Sequence, residues 1–360
     1  MKTVMSGMRP TGRLHLGNYW GALKRWVELQ NEYACWFGVA DWHMLTTGYE
    51  QTGLLKDRVR EMVLDWLAAG VDPERCVLFQ QSQVPQHAEL ALMLSMVTPI
   101  SWLENNPTFK EQLQELGKTK LSKALEDGGV LGPKRREAMS GATLEPVEPE
   151  GEAVRLELRT HGFLGYPVLQ TADIALYGAE LVPVGQDQLP HLEISREIVR
   201  RFNGIYGAVL TEPAAIVTPQ AKVPGIDQRK MSKSYGNAVD LFETSETLAP
   251  KVMSMYTDPL KVRAKDPGHP EGCVVFAMHR LYSNFADRRE GECRAGSIGC
   301  VACKKELLGS MEAPFAEFRA RRAKFDAPGH VERLLAAGSA KARVRAEETM
   351  AKVRTAMNLR

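Results

Sequence analysis

Two cations and two hydroxyls fall within five residues at Lys230, Met231, Ser232, Lys233 and Ser234, with glycines at 225 and 236 on either side. A lysine pair in a loop is most often solvated surface. Here the order carries more than the charge. Cations bracketed by hydroxyls and flanked by hinge-capable glycines suit a segment that folds over a triphosphate and meets charge as it moves onto a departing pyrophosphate. A second constellation, "SGMRPTGRLHLGNYWGALK", follows an apolar run and opens a helical pattern. Gly7 and Gly12 permit close backbone approach, and the unsatisfied N–H groups of a helix start form an anion site, which suits a nucleotide phosphate. The segment contains no G-x-G-x-x-G and no G-K-[ST] follows it, so it is neither the dinucleotide fingerprint nor a P-loop. Taken alone, His15 is more often a satisfied histidine than a catalyst.

Two further groups invite chemistry. Tyr166, Gln170 and Asp173 lie on one face if "YPVLQTADIALYG" is a helix, so they can converge on a single bound ring. A carboxylate on a mostly apolar helix also calls for a partner. Cys273, Cys293, Cys300 and Cys303 read as C-x19-C-x6-C-x2-C. Four thiolates can enclose zinc or an iron–sulfur cluster, and spacing does not choose between them; the bland alternative is buried free thiols beside a chance C-x-x-C.

The elements that must position these groups are legible in the pattern. "KTVMSG", "ACWFGVAD", "RCVLFQQS" and "LVPVG" read as strands, with Cys35 and Cys76 inside buried ones. Between them Leu16, Tyr19, Trp20, Leu23 and Val27, and then Leu55, Val59, Met62, Val63, Trp66 and Leu67, recur at helical spacing. "DQLPHLEISREIVRRFN" reads as a helix opened by an acidic residue. Strands alternating with helices imply an α/β fold with a Rossmann-like, doubly wound parallel sheet. The pattern lapses over 128–158, read as an insertion ending in a β element. We expect a catalytic domain over 1–220, the lysine loop over 221–240 and a helical C-terminal domain over 241–360. The 360 residues are 44% hydrophobic with a net charge of +2, enough for two cores but not the balance of a general polyanion binder. No long apolar run marks a leader or a membrane span, so a soluble, cytoplasmic protein is expected.

In sum these segments resemble a known family. His15-Leu16-Gly17-Asn18 is similar to the "HIGH" signature of class I aminoacyl-tRNA synthetases, and Lys230 to Ser234 matches their "KMSKS" signature without departure. "YPVLQTADI", "VPVGQDQLPHLEISREIVRRFN" and the ending "AMNL" resemble the bacterial tryptophanyl-tRNA synthetases. The resemblance implies tryptophan–tRNA ligase activity: ATP and L-tryptophan give tryptophanyl-adenylate and pyrophosphate with Mg2+, and tryptophan passes to tRNA(Trp). It implies that His15 and Asn18 contact the reacting phosphates, while Lys230 and Lys233 take the β- and γ-phosphates. Arg9, Pro10, Thr11, Gly17, Gly185, Gln186, Asp187, Val223, Met231, Ser232 and Ser234 would complete the ATP site. Asp173 would accept the indole N–H; Met5, Gly7, Val182 and Val184 would wall the ring, joined by Tyr166, Gln170 and Gln188. Arg9 stands where many relatives carry glutamine.

Tyrosyl enzymes share the Tyr-Gln-Asp spacing, but "VPVGQDQ" favours tryptophan. One branch of the family carries a [4Fe-4S] cluster on a similar cysteine pattern, with structural Zn2+ the alternative. A homodimer is implied, with an anticodon-binding C-terminal domain in which Arg294, Lys304, Lys305, Arg321, Arg322, Lys341, Arg343 and Arg345 are candidate tRNA contacts. The rival readings are a paralogue that passes its adenylate to another acceptor and a regulatory RNA-binding protein on an inactive scaffold.

Overall fold

Short apolar runs form the strands of a sheet buried on both faces, and a computed structural model describes residues 1–106, 109, 160–217 and 223–359. The expected insertion at 128–158, with its β element, lies outside the described residues, as do the side chains of Asp187 and Ser234. Strands β1 (Thr3–Met8), β2 (Ala34–Val39), β3 (Cys76–Gln80), β4 (Leu181–Val184) and β5 (Ala214–Val217) form one sheet in the order β3-β2-β1-β4-β5. Every pairing is parallel. Because successive side chains point to opposite faces, Val4 and Leu78 join one apolar core while their neighbours Met5 and Phe79 join the other. A sheet covered on both faces in this way is the doubly wound arrangement the pattern implies.

The helix after β1 departs from regular form. Leu16–Asn18 (α1) passes through a π turn at Tyr19–Leu23 into Lys24–Leu29 (α2). A π turn admits one extra residue, which re-aims the side chains that follow; Trp20 here donates from Nε1 to the Tyr282 hydroxyl at 3.0 Å, and Tyr19 packs edge-on against Phe318. Next come α3 (Asp41–Gly48), α4 (Leu55–Ala69), α5 (Gln86–Ser95) and α6 (Ile100–Glu104). After the undescribed stretch follow α7 (His161–Leu164), α8 (Tyr166–Ala175) and α9 (Leu189–Tyr206). Helix α9 begins at Leu189-Pro190, after a turn of 3-10 helix over Gln186–Gln188, and has no acid in its first turn. This corrects the expected acidic start: a proline at the helix opening supplies the fixed φ and lacks the N–H that would otherwise go unsatisfied. Strand β5, unread in the sequence, is four residues of "AAIV" between prolines 213 and 219.

The C-terminal helices are α10 (Ser245–Ser254), α11 (Val274–Tyr282), α12 (Ala286–Arg294), α13 (Cys300–Phe325) and α14 (His330–Ala356). They share the cores of the sheet. Leu307, Met311, Phe315 and Phe318 join the core of Val4, and Ala342, Ala346, Met350 and Val353 join that of Met5. Helix α14 lies against β3, where Ser339 Oγ accepts the Gln80 N–H at 3.1 Å and covers a strand edge that would otherwise present unpaired groups. At Gly338 the two backbones approach so closely that a Cβ would overlap the Leu78 carbonyl oxygen. Gly338→Ala should therefore cost stability at the upper end of the roughly 1–3 kcal/mol seen for overpacked cores, read as a fall in the denaturation midpoint. A neutral result would mean that α14 does not hold this register.

Candidate functional site

Parallel sheets place ligands beyond the carboxyl ends of their strands, where the chain order reverses. The cavity of about 430 Å3 lies there, between β1 and β4. Met5 and Gly7 of β1 and Val182 and Val184 of β4 line it, so four of the expected ring contacts are brought together. Tyr166, Gln170 and Asp173 reach it from one face of α8, as their spacing predicts. Arg9, Gly185 and Gln188 also line it. Arg9 donates to Thr47 Oγ1 at 3.4 Å, and burial depresses its pKa while the Tyr166 phenol opposes that.

Asp173 is buried within a ring of donors that the sequence reading missed. His43 Nε2 stands 2.9 Å from Oδ2, His87 Nδ1 2.6 Å from Oδ1, and Gln81 Nε2 bridges both oxygens at 2.8 and 3.0 Å. Burial alone would raise the carboxyl pKa, but the electrostatic influence of His87 and the hydrogen bonds from both histidines outweigh it and hold Asp173 well below the usual range. It is an ionised acceptor. Its neighbours come from α3, the turn after β3 and α5, and the histidine of "QSQVPQHAEL" was the available signal. Tyr166, whose phenol burial pushes above its ordinary value, lies 3.2 Å from His191 Nε2. Gln170 Oε1 is buried without a hydrogen-bond partner, an acceptor open to a ligand donor.

Beyond Arg9 the chain runs into the turn that opens α1. The His15 N–H donates to Asn18 Oδ1 at 3.1 Å, so the Asn18 amide oxygen caps the helix and its NH2 is the part able to meet a phosphate. Leu14 N–H donates to Asp65 Oδ2 at 2.6 Å, and Arg322 of α13 donates from Nε to Asp65 Oδ1 at 3.1 Å. Arg322 also pairs with Glu61 at 2.6 Å. It is thus buried behind the turn, a correction to its place among candidate RNA contacts. Gly17 leaves room for the His15 ring, which a Cβ there would meet at 3.0 Å. Burial, with Lys233 nearby, lowers the His15 pKa from 6.5 to about 4. The ring is neutral at physiological pH, a hydrogen-bond donor rather than a cation. Since its folded pKa is below its unfolded one, its contribution to stability is complete above pH 6.5 and is lost as pH falls towards 4. In a proton NMR titration the His15 ring resonances should hold their neutral positions from pH 8 to about 5; a midpoint near the ordinary value would refute the neutral donor.

The lysine loop is stitched rather than loosely hinged. Asn237, buried at its far end, accepts the Ser232 N–H at 2.8 Å and donates to Asp227 at 2.7 Å and to the Lys230 carbonyl at 3.2 Å. Gly225 is needed because a Cβ would overlap the Asn237 amide, and Gly236 because its φ is +65°. The two glycines expected as hinges therefore serve close approach and a left-handed turn. Lys233 Nζ donates to the carbonyls of Arg13 and Thr11, directly beside the His15 turn, while the Lys230 side chain is exposed. Val223 and Met231 are buried in the core and hold the loop down, and Pro10 is buried; Thr11 and Gln186 are exposed.

The four cysteines gather from the start of α11, the end of α12 and the first turn of α13. Burial is the main cause that pushes the Cys303 thiol up to about 12; Arg289 opposes it, and the other three thiols add to it. Among the described residues no three His, Cys, Asp or Glu side chains stand in the geometry of a metal site. Two neighbours expected to face RNA are engaged internally: Lys304 donates to the Met253 carbonyl at 2.7 Å, and Arg294 pairs with Glu271 and with Glu290 at 2.9 Å.

A nucleotide-type turn, a lysine loop across it and a parallel sheet define a class, and comparison agrees. The family described as tRNA synthetases class I (W and Y) matches residues 1–125 and 153–316, and the chain belongs to it. It is 46% identical to the tryptophan–tRNA ligase of Aquifex aeolicus and 44% identical to that of Thermotoga maritima, in each case over 99% of both chains. The crystal structure of tryptophanyl-tRNA synthetase from Campylobacter jejuni complexed with ADP and tryptophan matches with a TM-score of 0.76 and 29% identity, covering 100% of both chains.

Proposed function

We infer that the chain is a tryptophan–tRNA ligase: it activates L-tryptophan with ATP to tryptophanyl-adenylate and pyrophosphate, then transfers tryptophan to tRNA(Trp). The observation that carries this reading is a cavity holding a buried, ionised acceptor, walled by Gly7 and Arg9 of the same segment that runs on into the His15 turn, where Lys233 is held. An indole N–H meets Asp173 while the walls from β1 and β4 enclose the ring. An oxygen of the tryptophan carboxylate attacks the α-phosphorus of ATP, and the bond to the β-phosphate oxygen breaks. Positioning and electrostatic stabilisation supply the rate, with no protein nucleophile. His15 and the Asn18 amide donate to phosphate oxygens. Lys233 exchanges its two carbonyl partners for the β- and γ-phosphates and Lys230 closes from solvent; Mg2+ carried in with ATP would supply further positive charge there. Tryptophan-dependent ATP–pyrophosphate exchange, with tyrosine and phenylalanine as comparators, followed by charging of tRNA(Trp), tests both steps. Preference for tyrosine, or exchange without charging, would overturn the reading.

The helical C-terminal region is assigned to the anticodon, and a homodimer to the apolar side chains of Leu92, Met96 and Ile100 on α5 and α6, which are 61–69% exposed. No helix among the described residues is long and apolar enough to cross a membrane; a cytoplasmic location suits this chemistry. Cys273, Cys293, Cys300 and Cys303 are assigned as ligands of a [4Fe-4S] cluster, with Zn2+ as the alternative. Burial chiefly raises the Cys273, Cys293 and Cys303 thiols and the neighbouring thiols add to it, which puts the four side chains near one another; a bound cluster would hold them as thiolates and tie α11, α12 and α13 together. A brown anaerobic preparation absorbing near 400 nm supports the cluster, and a colourless protein containing only zinc removes it.

A further inference from the structure

Asp173 has more support than one substrate contact requires. His43 lines the cavity, but Gln81 and His87 lie behind the carboxylate, 2% and 0% exposed. His87 is the unusual one. A fully buried imidazole needs partners for both nitrogens, and these are Asp173 Oδ1 at 2.6 Å on Nδ1 and the Tyr177 hydroxyl at 2.7 Å on Nε2. Tyr177 is itself fixed: its ring stacks on Trp36 at 4.9 Å, its carbonyl accepts from Arg345, and the Leu176 carbonyl accepts from Thr349 at 2.7 Å.

Burial, with Asp173 adding to it, holds the Tyr177 phenol far above its ordinary pKa, so the hydroxyl keeps its proton. An ionised carboxylate only accepts, so the imidazole proton at the 2.6 Å contact sits on Nδ1, and in the neutral ring Nε2 is left to accept the Tyr177 O–H at 2.7 Å. Gln81 Nε2 is shared between both carboxylate oxygens and His43 sits on Oδ2 at the cavity wall, so the three side chains together hold the group as an acceptor facing the cavity. We propose that His87, with its tautomer held by Tyr177, is a specificity-determining positioning residue that locks Asp173 as an acceptor and so makes the pocket select rings that carry an N–H. Without His87 the carboxylate can turn or take up a proton, and a ring lacking the donor is no longer penalised. This inference rests on the reading of Asp173 as the indole acceptor.

The test compares tryptophan with its sulfur isostere, in which S replaces the indole N–H, by ATP–pyrophosphate exchange in the full-length enzyme. The wild type should prefer tryptophan by about a hundredfold or more in kcat/KM. If it does not, the Asp173 reading itself fails, whatever His87 does. Given that preference, His87→Leu should reduce it by at least about tenfold, chiefly through KM for tryptophan, with KM for ATP unchanged. His87→Asn, whose amide NH2 replaces the Nδ1 donor, should restore most of it, and Tyr177→Phe should fall between the two. A wild type that discriminates while His87→Leu and Tyr177→Phe keep the full preference would overturn the inference, as would a parallel rise in KM for ATP. Should His87→Leu fail to fold, Tyr177→Phe, which removes one hydroxyl and keeps the ring stacks, decides alone.

Discussion

Lys233→Ala lowers the rate of adenylate formation by roughly a hundredfold to a thousandfold, the loss typical of one preorganised donor to developing charge, while tryptophan affinity stays within about threefold. The expectation follows from where the ammonium rests. Its partners are the neutral carbonyls of Arg13 and Thr11, at the turn that precedes His15. Desolvation is the main cause that lowers its pKa, with Asp240 and Asp65 opposing. A cation held by carbonyl dipoles gains more from a phosphate oxygen than one already locked to a carboxylate. Single-turnover kinetics gives the rate and equilibrium dialysis the tryptophan affinity. Equal losses in both would mean that the loop only holds ground states.

Asp173→Asn should raise KM for tryptophan by about a hundredfold, with KM for ATP little changed. The amide preserves volume but replaces an ionised acceptor with a group that points N–H donors at His43, His87 or Gln81, all within 3.0 Å of the carboxylate. Those three lose a shared partner, so some fall in thermal stability is also expected. Steady-state pyrophosphate exchange separates the two effects, because a merely unstable enzyme loses active fraction without a change in KM. Activation of indole-methylated tryptophan as efficiently as tryptophan would remove the acceptor role.

What was legible in the sequence was local. The His15 to Asn18 and Lys230 to Ser234 signatures are contiguous, and Tyr166, Gln170 and Asp173 share a helix face, so spacing alone places each set. The strands that read clearly are apolar runs ended by polar or small residues; β5, "AAIV" between prolines, is too short to carry a period. The donors around Asp173 come from positions 43, 81 and 87, which only the folded sheet brings together. Arg322 reads as one more base on a charged helix, yet it lies 10% exposed against Asp65, 257 positions away. Asn237, one residue past Gly236, gives no signal in the sequence, because a side chain that ties a loop to itself leaves no periodic trace.

Helix α14 covers the edge of β3 and, through Arg345 and Thr349, braces the segment that carries Tyr177. During synthesis, residues 330–356 leave the ribosome after every other described element. Until they do, the nucleotide-binding half has an open strand and an unfilled apolar face around Phe79, which leaves the nascent chain in need of protection from aggregation until α14 has emerged.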